Sequence, residues 1–278
     1  MTSGTFARSG RRKRALPLFK SMALFASLML ATQSLQAQTG DIEFHYLFAR
    51  NRPEADAGPQ NHTLILGGQV EVVKDPGAHS RTGIKVSPSL RGRVYFEDTD
   101  GDGAAILNRL ASSEWTLELW IKLDEFSERR QMLFVVQPMK DSHSDFTIRL
   151  APEKSSANAG AVQLTDSTGV VLAQTPVLEW RLGVWYYLAV ASTPTEGRRL
   201  YTFHRGDESS PSPEEVYSGS GKSIVPLVVE APRLYNFANF WGNLGQDALR
   251  GTMANIRLSW RAKTQEEVSQ SFQEARTQ

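Results

Sequence analysis

The stretch Trp115-Thr116-Leu117-Glu118-Leu119-Trp120-Ile121-Lys122-Leu123-Asp124 decides the fold. Its odd positions are Trp, Leu, Leu, Ile and Leu, and its even positions before the closing Asp are Thr, Glu, Trp and Lys. Successive side chains of an extended chain point to opposite faces, so this period of two describes a long strand with one face in a core. Phe146-Thr147-Ile148-Arg149-Leu150 alternates in the same way.

Outward from these two strands the pattern repeats, strand after strand with turn residues between. Residues 42–48, 64–66, 69–73 and 93–96 are short β-prone runs, separated by Asn51-Arg52-Pro53, Gly67-Gly68 and Asp75-Pro76-Gly77. Residues 162–164 and 170–172 flank Asp166-Ser167-Thr168-Gly169, a hairpin whose Gly stands where a turn often needs positive φ. Residues 185–191 (Trp-Tyr-Tyr-Leu-Ala-Val-Ala) read as a strand buried on both faces, and residues 200–204 and 250–260 complete the set. Only residues 105–111 and the polar tail 265–275 read as helical. Many short strands with Gly and Pro punctuation predict an all-β, two-sheet antiparallel sandwich with a short C-terminal helix.

The amino-terminal residues predict export. Arg11-Arg12-Lys13-Arg14 precedes the apolar run of residues 22–31 and the small-residue site Leu35-Gln36-Ala37, the layout of a cleavable signal peptide. The expected domains are therefore a signal peptide, 1–37, and a single sandwich domain, 38–278. The apolar run is about half of the ~20 residues that span a bilayer, so no membrane span is expected after cleavage. The leader holds six bases and no acid (Arg8, Arg11, Arg12, Lys13, Arg14, Lys20); without it 25 basic residues face 30 acidic ones, a net charge of −5. That balance argues against nucleic-acid binding, which depends on neutralising phosphates. The chain has no cysteine, so in a secreted or periplasmic setting its stability has to come from the core rather than from disulfides.

Several of these strands resemble those of bacterial laminin-G-like domains, in the concanavalin A-like lectin/glucanase superfamily. Residues 115–123 are similar to that family's aromatic-Thr-Leu-Glu-x-Trp-Val-Lys strand. Gly183-Val184-Trp185-Tyr186-Tyr187-Leu188-Ala189-Val190 resembles its Gly-x-Trp-Tyr-His-Val-Ala-Val strand, and Leu200-Tyr201-Thr202-Phe203-His204-Arg205-Gly206 stands where Leu-Tyr-Val-Asn-Gly follows. Near the end, residues 249–258 are similar to aromatic-x-Gly-x-Ile-Asp-Glu-Val-Arg-Ile, and Thr264-Gln265-Glu266-Glu267-Val268 to the usual Ser-x-Glu-Glu-Ile. The likeness spans residues 42–270 and implies a jelly-roll sandwich. Two features depart from it: Ala254-Asn255 replaces the Asp-Glu pair, and the Ile-Gly opening is absent around Leu234-Tyr235.

Catalysis on this fold has a recognisable signature. Retaining glucanases carry alternating carboxylates on one strand, with nucleophile and acid about 5 Å apart. No such run occurs here; Glu118 has Thr116, Trp120 and Lys122 as same-face neighbours and reads as an outward carboxylate paired with a base. The five histidines (His45, His62, His79, His143, His204) show no zinc spacing, and no nucleophile elbow or phosphate loop is present. Two constellations have chemical content. Asp98, Asp100 and Asp102, in Asp98-Thr99-Asp100-Gly101-Asp102-Gly103, place oxygen ligands at alternate positions and suit calcium, although Arg109 stands where an EF-hand has its bidentate Glu. The alternative is a solvated acidic turn. Trp120, Trp185 and Tyr187 are out of phase with the core positions of their strands and would stack on sugar rings if that face were open. The alternative is that other elements cover them.

The expected function is a non-catalytic binding or adhesion module, exported to the periplasm or beyond. Its expected partner is a glycan or an extracellular or envelope protein, with calcium as the only ion the sequence suggests. A polysaccharide hydrolase or lyase, and a structural envelope protein without a small ligand, are the alternatives. Clustered acids in a deep cleft would favour the enzyme, a shallow aromatic platform the binding module, and neither of these the structural protein.

Overall fold

The computed structural model describes residues 41–49, 51–68, 70–74, 81–86, 92–98, 105–139, 143–152, 158–225, 232–239 and 247–277. The leader, Asp100 and Asp102 lie outside these residues. In chain order the elements begin with β1 (Ile42–Tyr46), β2 (Ile65–Gly67), β3 (Val70–Lys74), β4 (Thr82–Val86), β5 (Arg93–Asp98) and α1 (Ala105–Ser112). There follow β6 (Trp115–Leu123), β7 (Gln131–Pro138), β8 (Phe146–Leu150), β9 (Val162–Asp166) and β10 (Val171–Gln174). The last are β11 (Trp185–Thr195), β12 (Arg198–Asp207), β13 (Glu214–Gly221), β14 (Arg233–Phe237), β15 (Gly251–Ser259) and α2 (Gln265–Thr277).

The strands form two antiparallel sheets. The first runs β13-β12-β11-β6-β15-β4-β3, with β1 also pairing β15; the second runs β10-β9-β8-β7-β14-β5-β2. Strand β15 thus has β6 along one side and, along the other, β4 at its start and β1 at its end. The consecutive elements β2 and β3 are edge strands of different sheets. At the other edges β10 and β13 meet, with Gly221 against the Leu172 carbonyl.

The core lies between the sheets, and the two-residue period assigns its members. Trp115, Leu117, Leu119, Ile121 and Leu123 of β6 are all buried there, with Tyr186, Leu188 and Val190 of β11. Phe134, Phe146, Ile148, Leu164, Tyr235 and Phe237 face them from the second sheet. The alternation, the doubly buried β11 and both helices match the sequence expectation. So does the β9–β10 hairpin, where Gly169 has φ +79° and Asp166 Oδ1 accepts from the Thr168 and Val170 amides. Glycine at 251 answers a different need: a Cβ there would collide with the Lys122 carbonyl, where β15 runs hard against β6.

Helix α2 packs on the outside of the first sheet. Thr264 caps it: its hydroxyl accepts from the Glu267 amide at 3.3 Å while Glu267 Oε2 accepts from the Thr264 amide at 2.9 Å, the reciprocal pair of a capping box. Val268, Phe272 and Ala275, spaced for one helical face, are its buried apolar positions.

Candidate functional site

Helix α2 decides the fate of the aromatic trio. Trp120, Trp185 and Tyr187 do project together from the outer face of the first sheet, as their phase requires. They are 0%, 3% and 2% exposed, in a cluster closed by Val268, Phe272 and Ala275. Phe272 stacks on Trp120 and meets Tyr187 edge-on, with centroids 5.3 and 5.4 Å apart. The Arg81 guanidinium lies 3.4 Å over the Trp120 ring. The open aromatic platform is therefore corrected to a covered one, because an apolar sheet face gains more by burial under an amphipathic helix than by facing water.

Glu118 lies beneath the same helix. It accepts from the Tyr187 hydroxyl at 2.5 Å, from Arg257 Nε at 2.8 Å and from Lys263 Nζ at 2.6 Å. Burial alone would raise its pKa, but the two cations and their hydrogen bonds outweigh burial and hold it well below the usual carboxylate range. Burial, reinforced by the Glu118 charge, pushes the Tyr187 phenol well up. Glu118 is on the outer side of its sheet and paired with bases, as expected, but α2 covers it, so it is 1% exposed and its oxygens are taken up by Tyr187, Arg257 and Lys263.

Asp98 closes β5 and is buried, its Oδ2 3.5 Å from the Ile106 amide at the start of α1. A negative charge there complements the helix N-terminus. Among the described residues no group of three or more His, Asp or Glu is placed to hold a metal ion.

A set of polar side chains, partly buried, gathers at one end of the sandwich. Gly251 pairs with Leu123, Trp185 with Lys122, and Gln131 with Leu150, which pairs with Val162. These registers bring the β6–β7 turn, the start of β15 and the β10–β11 connection to one rim. Just inside it, on the outer face of the second sheet, a ladder crosses three strands. Arg149 Nε donates to Gln163 Oε1 at 3.1 Å, and Gln163 Nε2 donates to Gln174 Oε1 at 2.6 Å. Burial and the neighbouring Arg130 charge bring the Arg149 pKa down to about 10, against the pull of Asp247. Arg130 Nε in turn donates to Asp247 Oδ2 at 2.9 Å.

The β6–β7 turn lies at the same rim. A cleft of about 310 Å³ lies there, lined by Phe126, Ser127, Glu128, Arg129 and Arg250. Its backbone is fixed: the Arg250 amide donates to Gln131 Oε1 at 2.8 Å, the Asp124 amide to the Arg250 carbonyl at 2.9 Å, and the Arg129 amide to Ser127 Oγ at 3.1 Å. Phe126 and Leu182 add exposed apolar surface to the same rim. Planar guanidinium and amide groups beside apolar surface are the means of gripping a hydroxyl-bearing ring. Sequence reasoning did not single these residues out. The available signal was the polar half of each alternation, Arg149 and Gln163, read across neighbouring strands instead of along one.

No curated protein matches the chain. Solved structures match in fold. One described as a receptor binding domain has TM-score 0.57 and 9% identity, covering 86% of this chain and 52% of that one. A botulinum neurotoxin serotype D/C binding domain has TM-score 0.57 and 9% identity over 85% and 53%. A botulinum neurotoxin type C structure, described by cell entry that depends on two ganglioside molecules, has TM-score 0.57 and 8% identity over 87% and 53%. The chain spans about half the length of these structures. Residues 98–269 match the family model Laminin_G_3, the concanavalin A-like lectin/glucanases superfamily. That match takes in β6 to β15 and the capped start of α2, so the chain belongs to the concanavalin A-like lectin/glucanases superfamily.

Proposed function

We propose that the protein is an exported, non-catalytic binding or adhesion module that takes a glycan on the rim between β6–β7 and the Arg149 ladder. The observation that carries this reading is the grouping of guanidinium and amide side chains near one rim, the Gln174-Gln163-Arg149 ladder and the Arg130-Asp247 pair, with the cleft at Arg250 in the adjoining turn. Its donors and acceptors are held by one another on strand backbone, which lowers the ordering penalty when a sugar's hydroxyls replace those bonds. The state of Glu118 supports a role without catalysis, because a buried carboxylate held ionised by Arg257 and Lys263 has no proton to give. The leader supports export, and among the described residues no helix is long and apolar enough to cross a membrane. The similar solved structures include one described by botulinum neurotoxin type C cell entry that depends on two ganglioside molecules and a botulinum neurotoxin DC binding domain in complex with rat synaptotagmin II, which supports a glycan or protein partner for this chain.

The test is a glycan array probed with the wild type and with Gln163→Ala and Arg149→Ala. Retention of a defined glycan class by the wild type, weakened in both variants at unchanged melting temperature, supports the reading. Glycan release or shortening on incubation would instead make the protein an enzyme. Retention indifferent to both substitutions would move the site off this rim.

A further inference from the structure

One row of side chains crosses the outer face of the first sheet, the face that carries α2. By register, His204 of β12 lies opposite Ala189 of β11, Ala189 opposite Glu118 of β6, Glu118 opposite Arg257 of β15, and Arg257 opposite His45 of β1. Partners in such a row share one face. It is the outer face here, because Phe203 beside His204, and Phe44 and Tyr46 beside His45, point into the core. His204 is 1% exposed, and neither ring nitrogen makes a hydrogen bond of ordinary geometry. The groups facing it are Gln265 in the first turn of α2, Glu215 opposite it on β13, and Glu118. His45 is half-buried, with Nε2 2.8 Å from Asn255 Oδ1, and Asn255 lines a small cavity with Ala275 of α2. The charged groups facing His45 are Arg257, Glu118 and Asp56. Burial holds both imidazoles below their ordinary value of 6.5, and the Arg257 charge adds to this at His45. A proton on either ring would join Arg81, Arg257 and Lys263, already gathered around Glu118 and Trp120 beneath the helix, while Glu274 on α2 acts on Arg257. Lifting the helix lets water take up that added charge.

We propose that α2 is an acid-released cover: protonation of His204 and His45 lifts it from the first sheet and bares Trp120, Trp185 and Tyr187. The direction follows from burial. A histidine whose folded pKa lies below its ordinary value leaves the closed form at full stability above that value and weakens it as pH falls below. Glu118, held well under the usual carboxylate range, stays ionised throughout, so its own titration lies in a separate, more acid interval. The glycan rim takes no part in the device and stands or falls separately.

The chain has no cysteine, so a single introduced thiol reports on the helix alone. Ala275→Cys places it on the buried face of α2 and Gln270→Cys on the exposed face. The rate of labelling by a thiol reagent is measured for each in the full chain from about pH 7.5 to about pH 5, and their ratio cancels the common pH dependence of thiolate. The expected result is a several-fold rise in the ratio of buried to exposed labelling on acidification, with the far-UV strand signal unchanged. His204→Gln weakens the rise, and His204→Gln/His45→Gln abolishes it. A flat ratio, a rise that survives the double substitution, or a rise accompanied by loss of the strand signal overturns the inference. Should either variant fail to fold at neutral pH, ring-proton titration of the wild-type histidines decides. Two depressed midpoints that coincide with the labelling rise uphold it, and ordinary midpoints overturn it.

Discussion

Trp120 and Phe272 lie face to face, ring centroids 5.3 Å apart and planes inclined by 20°, across the boundary between the first sheet and its C-terminal helix. This stack, with the edge-on contact to Tyr187, is the main apolar grip of α2 on the sandwich. Replacing Phe272 with Ala removes a fully buried ring and is expected to cost about 3–5 kcal/mol. For a domain of this size that is a fall in melting temperature of roughly 10 °C. Tryptophan emission should shift to the red as Trp120 and Trp185 meet water. A melt and an emission spectrum indistinguishable from wild type would mean that α2 does not rest where it is described.

Glu118 gives the interior a defined acid sensitivity. Its pKa is depressed in the folded state, so its contribution is complete above the ordinary carboxylate value of 4.5 and is lost as pH falls toward its lower folded value. Glu118→Gln leaves Arg257 and Lys263 buried without their counter-charge, and is expected to cost roughly 3–5 kcal/mol at neutral pH. The diagnostic is the slope: denaturant midpoints measured downward from pH 5 should fall less steeply in the variant than in the wild type. Parallel slopes would show that Glu118 titrates normally.

Much of the fold was legible before any coordinate, and the exceptions have physical reasons. The two-residue period of β6 named its core residues because one face meets the other sheet and the opposite face mixes Thr, Glu and Lys with Trp120. Strand β7 carries no such contrast. Its Met132-Leu133-Phe134-Val135-Val136 is buried on both faces, so an apolar run replaces an alternation. Strand β13, Glu-Glu-Val-Tyr-Ser-Gly-Ser-Gly, is a half-exposed edge with little apolar content to periodise. At the site, the phase of Trp120, Trp185 and Tyr187 was readable, but their cover was not. It arrives from Phe272, far along the chain, and periodicity is silent on what packs over a face. The Arg149 ladder was invisible for a related reason: each member is an ordinary polar strand position, and only the β8–β9–β10 register makes them neighbours.

Calcium remains a proposal for the acidic turn that follows β5. Asp98, Asp100 and Asp102 gather three negative charges within five residues, a repulsion that a divalent ion would relieve. At a hundredfold excess over Kd, binding to the folded form alone would raise stability by about 2.7 kcal/mol. Arg109 and Ala254-Asn255 imply weak affinity at most, so any rise in the wild-type melting temperature in millimolar calcium over chelator is expected to be small and to be lost in Asp100→Asn/Asp102→Asn. An unchanged wild-type melt would leave the turn an ordinary solvated loop, and a shift surviving the double substitution would place the ion elsewhere.

Export is tested at the amino terminus. Cleavage after Ala37 leaves a mature chain beginning at Gln38, and N-terminal sequencing of the exported protein should read Gln-Thr-Gly-Asp. Recovery of the intact leader in a membrane fraction would make it an anchor.

The pairing of β1 with β15, Ile42 opposite Ser259, has a consequence for how the molecule comes into being. Among the described residues the strand partner of β1 is β15, across the span from Ile42 to Ser259, and contacts of such high order form slowly. This ladder is therefore expected to close after the local pairings β7–β8, β8–β9, β11–β12 and β12–β13. One segment, β15 with α2, thus supplies both the partner of β1 and the cover of Trp120, and its loss would undo the sheet at its centre and at its outer face together.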